Sequence, residues 1–131
     1  MEVKLQVLVM LAMALSLFSA ASAEQGLAVY YNPHPEYYPA ACAGFNKENS
    51  GVMIAGVRDE LWDNGRACGR ILRVSCTKAA NEFPHPCKGG VITVKVVDYC
   101  RQPCNGVINL SRDAFETIAD LKAGKIWVEY S

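Results

Sequence analysis

Apolar and polar residues alternate in several short runs bounded by glycine, proline and asparagine, and this pattern predicts a mainly β chain. "LAVYY" (Leu27 to Tyr31) alternates and is rich in β-formers, so it is the expected first strand. "GVMIAGV" (Gly51 to Val57) is an apolar second strand. "GRILRVSC" (Gly69 to Cys76) and "GVITVKVVDYC" (Gly90 to Cys100) keep a period of two, and "KIWVEY" (Lys125 to Tyr130) closes the chain. "RDELWDNG" predicts a helical turn ending at Gly65. One segment, "SRDAFETIADLKAG", has helical spacing: Ser111 is its N-cap, Ala114, Phe115, Ile118 and Leu121 form an apolar stripe, and Gly124 stops it. Roughly six strands with one or two short helices suggest a small closed barrel.

The same alternation places Asp98. Ile92, Val94 and Val96 share a face, and Asp98 continues it at the strand's end, at the rim of the core. A carboxylate partly withdrawn from water is the raw material of a general acid. The other reading is an Asp that binds backbone N–H groups of the following loop.

The chain opens with Lys4, an apolar run "LQVLVMLAMALSLFSA" and the small residues "ASA". That order predicts a secretory signal peptide over residues 1–23, cleaved before Glu24, and a single domain over 24–131. Lys and Arg total 13 against 13 Asp and Glu, and removing Lys4 and Glu2 keeps the balance. A neutral chain gives no support to nucleic-acid binding or a polybasic membrane patch, and no later segment predicts membrane insertion. The six cysteines all lie in the mature part and read as three disulfides of a secreted protein. Metal binding through Cys and His85 is disfavoured by the lack of paired CxxC knuckles, so neither metal nor cofactor is expected. "NPHPEYYPAAC" is broken by Pro33, Pro35 and Pro39 and predicts a surface loop carrying His34, Tyr37 and Tyr38. Trp62 and Trp127 are expected to pack at the core or its edge.

"LWDNGRACGR", "RVSC", "HPCKGG", "ITVKVVDYC" and "LSRDAFETIA" follow one another across nearly all of the mature chain. Together they resemble the plant natriuretic peptide and citrus blight-associated protein family, secreted single-domain relatives of the first domain of expansins. The resemblance implies a six-stranded double-psi β-barrel. It also implies the pairs Cys42–Cys68 and Cys76–Cys87, leaving Cys100–Cys104 to close a local loop. No second domain follows, so a complete expansin is not expected.

Position by position, the resemblance also implies a depleted groove. The first-strand Thr of expansins falls on Val29, and their Asp after the fifth strand on Asp98. Their Tyr falls on Cys100, with Tyr99 adjacent, and their Asp before the helix on Asn109. Val107 and Ile108 replace a His and a Phe. Glycoside cleavage by the usual route needs two carboxylates, and an amide at position 109 is neither a useful proton donor nor a base. The groove of Val29, Asp98, Tyr99 and Asn109 is therefore expected to be vestigial, with no catalytic residue. Asn109 also opens an N-x-S sequon, "NLS", a candidate glycosylation site.

The function implied is that of a secreted, non-catalytic monomer in the apoplast with a systemic role in water and solute homeostasis and stress response. Its partner would be a plasma-membrane receptor. The alternative is a non-catalytic wall-polysaccharide binding or loosening module, and behind it a residual lytic enzyme.

Overall fold

The computed structural model describes residues 23–31, 40–45 and 50–131. The expected leader up to Ser22 and the loop bearing His34, Tyr37 and Tyr38 lie outside the described residues. The strands are Glu24–Tyr31 (β1), Ile54–Val57 (β2), Ile71–Ala79 (β3), Ile92–Tyr99 (β4), Ile108–Ser111 (β5) and Lys125–Tyr130 (β6). The helices are Asp59–Trp62 (α1) and Arg112–Ile118 (α2), and two 3₁₀ turns cover Asp63–Gly65 and Leu121–Ala123. The strands close into a barrel in the order β1-β5-β2-β4-β3-β6. The β1–β5 and β2–β4 pairs are parallel, and the remaining neighbours are antiparallel.

Alternation fills the interior. Leu72 and Val74 of β3, Val94 and Val96 of β4, Ile108 and Leu110 of β5, and Ile126 and Val128 of β6 are buried. Each such side chain stabilises the fold by about 1.5–3 kcal/mol relative to exposure. The buried Ala114, Phe115 and Ile118 of α2 join that cluster, and the Phe115 ring lies 4.8 Å from that of Tyr30. Ser111 is the N-cap: its Oγ accepts from the Ala114 N–H at 3.1 Å and donates to the Val52 carbonyl at 2.5 Å. Capping satisfies one of the otherwise unpaired N–H groups of the first turn.

Three details depart from the expected pattern. The helix stops at Ile118, short of Gly124. Ala119 takes extended dihedrals and pairs with Cys87 in an isolated bridge, while the Lys88 N–H binds the Ile118 carbonyl at 2.8 Å. Tertiary pairing there overrides helix propensity. The segment just before the helix, given no strand by the alternation above, holds a strand, β5, paired on both sides. In β4 the register shifts, so that Ala55 faces Val96 while Gly56 faces Asp98. Val97 is the extra residue, and it is buried like Val96. The bulge turns Asp98 off the core face that Ile92, Val94 and Val96 share.

The disulfides join Cys42 to Cys68, Cys76 to Cys87 and Cys100 to Cys104. Cys42–Cys68 spans 26 residues, which corresponds to about 3–4 kcal/mol in the chain-entropy picture. It holds residues 40–45 against β4, where the Cys42 N–H reaches the Val97 carbonyl at 3.1 Å.

Gly106 marks the tightest backbone approach. A Cβ there would lie 2.8 Å from the Leu27 carbonyl oxygen and 3.2 Å from the Val29 nitrogen. Neither neighbour is a movable side-chain end. Gly106→Ala is therefore expected to lower the unfolding free energy by about 1–3 kcal/mol, read as a reduced urea midpoint at unchanged slope. An unchanged midpoint would show that the 106–107 segment yields without cost.

Candidate functional site

The strand register assembles a row across four strands. Val29 of β1 faces Asn109 of β5, Asn109 faces Gly56 of β2, and Gly56 faces Asp98 of β4. Ile108 and Leu110, on either side of Asn109, point into the core, so Asn109, Val29 and Asp98 face outward, with the buried Gly56 between them. Three of the four residues of the expected groove thus share one row. Gly56 keeps the row low at its centre, with the Asp98 backbone and Cβ about 3.4–3.6 Å from where a Cβ would stand.

Above one half of this row opens a cleft of about 510 Å³, lined by Val29, Tyr30, Asn109, Gly124, Lys125 and the Cys100–Cys104 loop with Arg101 and Asn105. No carboxylate lines it. The half-buried Asn109 makes no side-chain hydrogen bond among the described residues, so its amide is open to the cleft. Arg101 and Lys125 are the charged lining groups, and neither is in an ion pair among the described residues.

Asp98 and Tyr99 do not line the cleft. Asp98 Oδ1 accepts the N–H groups of Ala41 and Tyr99, both at 2.9 Å, and so ties the 40–45 segment to the end of β4. Tyr99 turns toward α1: its ring lies 5.1 Å from that of Trp62, and its hydroxyl donates to Asp59 Oδ1. Gln102 Nε2 reaches the other Asp59 oxygen at 3.5 Å. The Asp59 carboxylate raises the Tyr99 phenol above its ordinary value, chiefly because the hydrogen bond favours the neutral phenol.

Chemically, the cleft offers polar donors and two cations but no carboxylate for proton transfer at a glycosidic oxygen. An amide stands at position 109, and the nearest carboxylate in the row is two strands away and bound to backbone. Sequence reading found the row positions but missed Arg101, Lys125 and the Asp59–Tyr99 contact. The alternation of "INLS", apolar at 108 and 110, was the available sign of β5, on which the row depends. The sequon's Ser111 is buried, with its hydroxyl held by two backbone groups. Among the described residues no group of three metal-ligating side chains occurs, and no helix is long and apolar enough to cross a membrane.

The family profile described as "Lytic transglycolase" matches residues 54–130. EG45-like domain containing protein 2 of Arabidopsis thaliana is 50% identical over 125 residues, covering 95% of this chain and 92% of that protein. The EG45-like domain containing protein of Citrus jambhiri is 45% identical over 133 residues, covering 100% of this chain and 98% of that one. Among solved structures, a mutant Clavibacter michiganensis expansin in complex with cellohexaose superposes with a TM-score of 0.62 at 25% identity. That match covers 83% of this chain but only 49% of the expansin, so the chain spans about half its length. A Streptomyces papain inhibitor shares the fold alone, with a TM-score of 0.57 at 22% identity over 84% of this chain and 94% of that one.

The Tyr99–Asp59 contact has a measurable signature. A raised folded-state phenol contributes stability that is complete below about pH 10 and is lost as pH rises through the raised value. In Asp59→Asn, ultraviolet titration of the tyrosines should show one phenol moving back down toward about 10. If the titration curve does not change, Asp59 does not set the Tyr99 ionisation.

Proposed function

The chain belongs to the EG45-like domain-containing proteins, expansin-like chains folded as a double-psi β-barrel, and on that footing we propose that it is a secreted, non-catalytic protein of the plant natriuretic peptide type. In this reading residues 1–23 are its leader, and it acts from the apoplast on a plasma-membrane receptor in water and solute homeostasis and stress response.

The observation that supports signalling is the preformed turn at Asp59–Gly65. This lies in the segment between the first strand and "ACG", including "LWDNGRACG", that the family resemblance associates with hormone-like activity. Asp63 and Asn64 are exposed and take left-handed dihedrals, with φ of 50° and 53°. Such conformations are uncommon outside glycine and need support. Trp62 packed on Tyr99 supplies it from one side. From the other, Arg66 Nη1 binds Asp63 Oδ1 at 2.9 Å, and Cys68 is tied to Cys42. A receptor meeting this turn has little left to order, which favours affinity. Non-catalytic action is supported by Asn109 standing in a cleft without a carboxylate.

The test is the volume of wall-free plant protoplasts exposed to the purified, disulfide-bonded protein. Swelling is expected at low concentration, and Asp63→Ala with Asn64→Ala should raise the half-effective concentration by about tenfold or more. Folded protein that leaves protoplast volume unchanged would remove the signalling reading.

A second reading is favoured by the cleft itself and by the likeness to an expansin solved with cellohexaose: binding of a wall polysaccharide without cleavage. The protein should then be retained on insoluble wall material and release no soluble product from glycan or peptidoglycan. Product release abolished by Asp98→Asn would instead show a working lytic site.

A further inference from the structure

The second reading leaves the chemistry of the polysaccharide open, and the outer face of the barrel narrows it. Lys125, at the edge of the cleft, faces Val29 across β1–β6. Two residues on, about 7 Å along the strand, Trp127 lies on the same outer face, paired with Leu27 of β1 and Lys78 of β3. Lys78 Nζ stands over the Trp127 ring at 5.4 Å from its centroid. Attraction to the ring face holds an otherwise mobile ammonium in place. The same cleft is lined by the disulfide-closed loop with its Arg101.

Arg101 and Lys125 thus line the cleft and Lys78 continues from Lys125 across Trp127 on the outer face, and none is neutralised by an ion pair among the described residues. Glu129, two residues beyond Trp127 on the same face, is the first carboxylate in that direction. Asp98 lies at the other end of the row, with its Oδ1 turned to backbone donors. Between them the open amide of Asn109 offers both a donor and an acceptor to a sugar hydroxyl. A chain of balanced charge thus places three cations, unpaired among the described residues, in and beside this cleft.

We propose that this groove, from the Cys100–Cys104 loop past Asn109 and Lys125 to Lys78, binds a uronate-bearing polysaccharide rather than a neutral glucan. Carboxylates spaced along an extended glycan would meet Arg101, Lys125 and Lys78 in turn, while the hydroxyls between them meet Asn109. The inference rests on the polysaccharide reading and specifies its ligand class.

Calorimetric titration of the full-length purified protein with oligogalacturonate, cellohexaose and poly-glutamate separates the outcomes. Oligogalacturonate should bind more tightly than cellohexaose or poly-glutamate, and its binding should weaken with added salt. Arg101→Gln, Lys125→Gln and Lys78→Gln should each weaken binding about two- to fivefold, and together by at least about tenfold. Lys125→Arg with Lys78→Arg should retain binding, which guards against a loss caused by misfolding. Equal binding of cellohexaose, unchanged in the triple variant, would overturn the uronate assignment and leave the polysaccharide reading standing. Oligogalacturonate binding that the triple variant keeps would place the site elsewhere. Preference for poly-glutamate would make the occupant an acidic polypeptide, and binding of none of the three would remove both readings.

Discussion

The pairing of β5 on both flanks is the constraint on which the rest of the molecule depends. Four residues, Ile108–Ser111, run parallel to β1 and antiparallel to β2, and without them the ring is open between those strands. The approach is close enough to favour glycine two residues before the strand: the chain at Gly106 passes against the backbone of β1, and Val107 donates its N–H to the Leu27 carbonyl and accepts from the Arg58 N–H. The same short strand buries Ile108 and Leu110, presents Asn109 outward and ends in Ser111, which caps α2. Core, site and helix start are thus set by one pairing.

That economy explains why the site has the chemistry it has. Residues on the outer face of β5 are fixed in position by register, and at 109 that register presents to the cleft an amide, which is neither a useful proton donor nor a base. The recess so formed carries polar donors and two cations. Asp98, the other acid of the row, is engaged by the N–H groups of Ala41 and Tyr99 and serves the connection to the Cys42–Cys68 bridge. The two positions that the expansin resemblance assigns to carboxylates thus stand apart: Asn109 lines the cleft, and Asp98 is turned to backbone donors.

Much of this was legible in the sequence where local and global preferences agree. β6 spans the expected Lys125–Tyr130, Ser111 caps the helix, and the alternation of β3 and β4 marks the core positions. The failures share a cause in tertiary pairing. The helix ends early because Ala119 bridges Cys87, and the face of Asp98 is reversed by a bulge that no local pattern announces. Recognising β5 needed its two partners, because four residues carry too little periodicity. The row of Val29, Asn109 and Asp98 followed from resemblance, whereas Arg101, Lys125 and Lys78 come together only through cross-strand register.

Closure of the ring has one more consequence. A sheet with a free margin invites other chains to add a strand through main-chain hydrogen bonds, a route to both recognition and aggregation. Here each strand of the barrel has a neighbour on both sides, so that route is shut. A partner of the described barrel must therefore engage side chains and turns, and copies crowded together find in its strands no open margin on which to polymerise.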